Sequence, residues 1–126
     1  QSGIASMGRF SDQADAWGEE RLERAWNFTA LEEAGISTLM GTDWPVWPNV
    51  DPLVNAWTAT AGLENGFHPS YTWDSYTNHV STCLKQKIGC LDVGCVADRT
   101  LISADPYEQE TDQWGDIEIL GIELAD

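Results

Sequence analysis

An α/β fold is what this sequence predicts, and three stretches predict it. Ile36-Ser37-Thr38-Leu39-Met40 is a short apolar, β-leaning run entered through Gly35. It must stop near Thr42 or Asp43 in Gly41-Thr42-Asp43-Trp44-Pro45-Val46, because Pro45 and Pro48 cannot continue a ladder. A helix then begins at Asp51-Pro52, where Asp51 suits an N-cap, Pro52 the first helical residue and Gly62 the C-terminal stop. The third stretch is C-terminal. Ile117-Glu118-Ile119 alternates as a half-buried strand should, and Ile122-Glu123-Leu124 resumes the pattern after a slip at Gly121 that marks a bulge or turn. The central unit is therefore strand, acidic residue at the strand's C-terminal end, aromatic loop, helix. In parallel α/β folds catalytic side chains sit at such strand ends, which makes Asp43 the candidate. The simpler role for an aspartate in that place is to cap the loop.

The remaining elements follow in order. Ile4-Ala5-Ser6-Met7 is compatible with a strand. Glu19 to Trp26 reads as a helix with its carboxylates at the positive N-terminal end, a Glu20–Arg24 pair, and Leu22, Ala25 and Trp26 on one face. Phe28 to Ala34 is a second helical piece ending at Gly35, which suits a left-handed C′ position. Trp26, Phe28 and Leu31 read as core contacts. On the helix after Asp51, Leu53, Ala56, Trp57 and Thr60 line one side. Asn65-Gly66 marks a turn, and His68 and His79 read as surface or capping histidines. Tyr76, Val80, Cys83 and Leu84 recur at helical spacing, with Lys85, Lys87 and Gly89 closing that helix.

Charge narrows the function. With 21 acidic against 6 basic residues the net charge is −15, which repels nucleic-acid backbones and anionic lipid. From residue 100 onward there is no Lys or Arg, while acidic residues accumulate as a solvated face. No apolar run approaches the roughly 18 residues of a membrane span, and no signal peptide is visible. Cys83, Cys90 and Cys95 make no even framework, so reduced thiols and a cytoplasmic location are expected. Cys90 and Cys95 with His79 fit no usual zinc spacing.

Gly41-Thr42-Asp43-Trp44-Pro45-Val46, preceded by Leu31-Glu32-Glu33-Ala34-Gly35 and followed by Asp51-Pro52-Leu53, resembles the C-terminal part of the amidohydrolase superfamily. Within it the sequence is most similar to amidohydrolase family 3, the N-substituted formamide deformylase-like hydrolases. The likeness extends patchily from about Gly3 to Pro106. Tyr76-Thr77-Asn78 is similar to a run on the family's final barrel helix, and Ile88 to Asp98 to the turn that leads into a small C-terminal β-structure. The resemblance implies an incomplete C-terminal part of a TIM-type (β/α)8 barrel over residues 1–88, then a small β-segment over 89–126. A complete barrel needs roughly 250 residues, so 126 residues are half of one at most. Edges and inner strand faces left uncovered by half a barrel favour self-association.

The resemblance also implies chemistry: hydrolysis of carbon–nitrogen bonds other than peptide bonds in a small amide-like substrate. A divalent metal, zinc first among them, activates water in such enzymes. Asp43 corresponds to the carboxylate after the eighth strand that binds or faces the metal and handles the proton. Trp44 and Trp47 either wall an apolar substrate pocket beside it or cover the barrel's rim. The family's pattern is broken at Ser11, which stands where a metal-binding His belongs, and at Cys95, which replaces a Lys. A hydroxyl is a poor substitute for imidazole on such a metal. Two readings therefore stand. One is the C-terminal portion of a hydrolase, inactive and metal-free alone. The other is a non-catalytic remnant acting as a binding or interaction protein.

Overall fold

The computed structural model describes residues 13–63 and 65–125, so the expected strand at Ile4–Met7 and the departure at Ser11 lie outside the described residues. Among the described residues six short helices come first: α1 (Gln13–Trp17), α2 (Glu19–Leu22), α3 (Phe28–Glu33), α4 (Pro52–Thr60), α5 (Pro69–Tyr76) and α6 (Asn78–Leu84). Strand β1 (Arg99–Ile102), a 3-10 turn at Thr111–Asp116 and strand β2 (Ile119–Glu123) complete the order.

Helix ends follow local chemistry closely. Asn27 Oδ1 accepts from Ala30 N at 3.1 Å to start α3. Gly35, at φ +66°, ends it: Gly35 N donates to Glu32 O at 2.8 Å and Ile36 N to Leu31 O at 3.1 Å. That pair of bonds is the Schellman arrangement. Asp51 Oδ1 accepts from Leu53 N at 2.9 Å and Pro52 opens α4. His68 caps α5, its Nδ1 accepting from Ser70 N at 3.4 Å, with Pro69 as the first helical residue.

Two expected helices are shorter than the sequence suggests. The run from Glu19 is helical only to Leu22, then turns, and reaches Trp26 at φ +51°. The stretch around Tyr76 divides at Thr77 into α5 and α6. Thr77 Oγ1 bonds back to Trp73 O at 2.8 Å, a local alternative to the helical ladder. Gly89, at φ +66°, lies so close to the Thr77 carbonyl that any Cβ there would collide with it.

The apolar run Ile36–Met40 forms no strand. It lies extended along α5 and α6, tied by Met40 N to Ser75 O at 3.3 Å and by Thr38 Oγ1 against Ser75 Oγ at 3.0 Å. The Tyr71 hydroxyl donates to Ile36 O as well. Apolar, β-branched residues favour a strand only where a neighbouring strand offers a ladder, and here helices occupy that place. Among the described residues the sheet has two strands, antiparallel, with Arg99 opposite Glu123, Thr100 opposite Ile122 and Leu101 opposite Gly121. The register slips between Leu101 and Ile102, in the part of the sheet where the sequence alternation is interrupted.

The core is small and is built from the middle of the chain and its C-terminal segment. Leu53 and Ala56 of α4 pack against Trp114 and Ile117, with Trp73, Tyr76, Ile102 and Ala104 around them. Trp114 is fully buried, its indole N–H donating to Pro106 O at 3.1 Å and its ring edge-on to Trp73 at 5.0 Å. The C-terminal segment therefore completes the packing of α4. Trp57, expected on the inner face, is 40% exposed, while Asn55, Thr58 and Ala59 are buried. A second apolar line runs through aromatic rings, Phe28 stacked on Phe67 at 4.7 Å and Phe67 tilted against Tyr71 at 4.8 Å.

Expected reduced thiols give way to a disulfide between Cys90 and Cys95. A turn closed by Cys95 N to Asp92 O at 3.0 Å brings their Cα atoms to 5.9 Å, within bonding range. Cys83 is free and exposed.

Burial in this core pushes the Tyr76 phenol from 10.0 up to about 12, and the nearby Asp51 carboxylate adds to the rise. A raised folded-state value contributes stability that is complete below the unfolded value and lost as pH climbs through the folded one. The protein is therefore expected to lose stability between pH 10 and about 12. Tyr107, raised by burial and by Asp74 and Asp105, acts in the same direction. Urea melts across that range should fall less steeply for Tyr76→Phe; an unchanged slope would remove Tyr76 from the account.

Candidate functional site

The loop Gly41–Val50 leaves the extended Ile36–Met40 segment and feeds α4. Its backbone is set by Trp44 N donating to Thr42 Oγ1 at 3.2 Å and by Val46 N donating to Asp43 O at 2.8 Å. Asp43 takes the left-handed conformation, φ +56°, which Asp tolerates better than most residues. Downstream, Asn49 Oδ1 accepts from Asp51 N at 2.8 Å, and Asn55 Nδ2 donates to Asp51 O at 2.6 Å and Asn49 O at 3.2 Å. The loop's exit is thus fixed to α4 from inside, while its tip faces solvent.

Asp43 is exposed at that tip, and Trp44 is 67% exposed beside it. Trp47 is half-buried, with its indole nitrogen covered and without a hydrogen-bond partner among the described residues. The three sequence-predicted residues share a loop, but they do not wall a cleft. Two shallow grooves lie instead beside the disulfide. One, about 150 Å³, is lined by Cys90, Leu91, Asp92 and Arg99 among others; the second, about 410 Å³, by Asn78, Ser81, Lys87 and Val93 among others. Neither includes Asp43, Trp44 or Trp47.

A divalent metal at Asp43 would need imidazole or further carboxylate donors around it. Both histidines are engaged elsewhere. His68 Nδ1 lies 2.9 Å from Ser70 Oγ at the start of α5. His79 sets its ring edge-on to Tyr71 at 4.7 Å, with Nδ1 3.4 Å from Ser75 Oγ. Among the described residues no group of three or more His, Cys, Asp or Glu is placed to hold a metal ion. This donor set does not fit the metal the resemblance implies. Titration of the purified chain with zinc or manganese at neutral pH is expected to show only weak, non-stoichiometric uptake by an acidic surface. A single site of micromolar or tighter affinity would mean that donors gather around Asp43 after all.

Sequence reasoning missed how uncovered this region is. Ile36, Leu39, Trp44, Val46 and Val50 are all exposed, making an apolar flank on one continuous stretch. The available signal was the density of large apolar residues between Gly35 and Asp51, too many for a loop lying free in water. No family model, curated protein or solved structure matches the chain. Among the described residues, no helix is long and apolar enough to cross a membrane.

Proposed function

We propose that this chain is the C-terminal portion of a metal-dependent amidohydrolase acting on carbon–nitrogen bonds, and that it performs no chemistry by itself. Asp43 is its catalytic carboxylate, and the partners that carboxylate needs are supplied from outside the described residues. The observation that carries this reading is the setting of Asp43. A solvent-facing carboxylate stands on a loop fixed to α4, flanked by apolar side chains that nothing among the described residues covers. An exposed apolar flank beside a reactive group fits a surface that closes against further protein. Trp44 and Trp47 then line the seam, one on each side of Pro45-Val46.

The expected cytoplasmic location rested on reduced thiols. The Cys90–Cys95 pairing supports an oxidising compartment instead, since such bonds persist there. The test of the functional reading is the coding sequence ahead of Gln1. A continuous frame carrying a His-x-His motif supports it. A start codon immediately before Gln1 overturns it and favours a non-catalytic interaction protein.

A further inference from the structure

Among the described residues the sheet has two strands, and Ile102 is the residue of the pair that packs against the core. A lone antiparallel pair is marginal in water, and independent stability takes a third strand or a covering layer. Here β1 and β2 pair along one side each, and both strands are largely exposed. Thr100, Ile122, Ile102 and Ile119 share one face by register, and Leu101 stands on the other, opposite Gly121, which offers no side chain to cover it. Ile119, Leu120, Ile122 and Leu124 are all exposed, Leu124 by 75%. A strand edge that no described strand pairs, with exposed apolar residues along it, is a template for strand addition.

Charge selects the added strand. The pair's one cation, Arg99, is already engaged by Glu123. Asp98 and Glu118 stand exposed at the starts of the two strands, and Asp112 and Asp116 lie on the intervening turn. A second copy of this chain would bring another net charge of −15 to the same edge, so homotypic pairing is opposed.

We propose that the free edge of β2 is a docking site for an extended protein segment in which apolar side chains alternate with Lys or Arg. Main-chain hydrogen bonds to Ile119–Glu123 supply the register. Apolar side chains cover Ile119 and Ile122, and the cations meet Glu118 and its acidic neighbours. This holds whether or not the chain belongs to a hydrolase, because it uses no residue of the Asp43 loop.

The test is titration of the chain with three synthetic peptides: alternating Val and Lys, the same composition scrambled, and alternating Val and Glu. Amide NMR spectra and hydrogen exchange read where each one binds. The Val/Lys peptide is expected to shift and protect amides of Ile119–Glu123, and the other two are not. Its affinity should fall by at least tenfold between about 0.1 M and about 1 M salt, as the Debye length drops from about 10 Å to about 3 Å. Glu118→Gln should weaken it by about two- to fivefold, the scale of one exposed ion pair, with the same spectrum reporting that the fold is kept. Equal binding of the Val/Glu peptide, shifts confined to residues 36–50, or a low-salt dimer formed through β2 would each overturn the proposal.

Discussion

Trp114→Ala is expected to cost about 3–5 kcal/mol, the range for emptying a large aromatic site in a core. Few residues have more to lose. Trp114 is fully buried, lies edge-on to Trp73, and holds Pro106 O through its indole nitrogen. It is also the side chain through which the C-terminal segment reaches Leu53 and Ala56 on α4. A domain of this size has about 5–15 kcal/mol in total, so the loss would leave little margin. Near-ultraviolet circular dichroism should weaken sharply, while far-ultraviolet signal from the helices changes less. Trp57→Ala, on the same helix as Leu53 but 40% exposed, should cost about 1 kcal/mol. Comparable urea midpoints for the two variants would show that the core is not organised around Trp114.

That residue also marks where sequence reading stops. Asp51-Pro52 announces α4 because capping is local, and Gly35 announces the end of α3 for the same reason. Trp114 sits in a 3-10 turn between acidic residues, where no period of two or 3.6 separates inside from outside. Only the return of the chain onto α4 buries it. The same limit misplaces Trp57. Periodicity sets it beside Leu53 and Ala56, but the arriving C-terminal segment covers a neighbouring stripe and leaves the indole half outside. Ile36–Met40 has strand composition, yet a strand is a property of two segments, and the hydrogen bonds go to Ser75 and Tyr71 instead. In the candidate site the loop was legible from its prolines and Asp51, and Asp43 was legible as a residue. Its exposure and the lack of a gathered donor set among the described residues were not, because ligand sets are assembled by tertiary contacts.

In a longer hydrolase that contains this chain, Asp43→Asn should lower turnover by about 10²–10⁴-fold, the range for a general acid–base group. Asparagine keeps the size and shape of the side chain and removes the proton acceptor. It should leave the loop intact for three separate reasons. The turn is closed by the main-chain oxygen of Asp43, which accepts from Val46 N at 2.8 Å whatever the side chain is. The left-handed backbone, φ +56°, suits asparagine as it suits aspartate. The carboxylate is exposed, so no buried charge is left without a partner. Stability should therefore move by no more than about 0.5 kcal/mol, as for surface substitutions clear of special contacts. A large loss of rate with an unchanged melt assigns Asp43 to the chemistry. A variant that keeps more than half of the parent's rate removes Asp43 from the reaction and leaves it a turn residue at the head of an apolar seam.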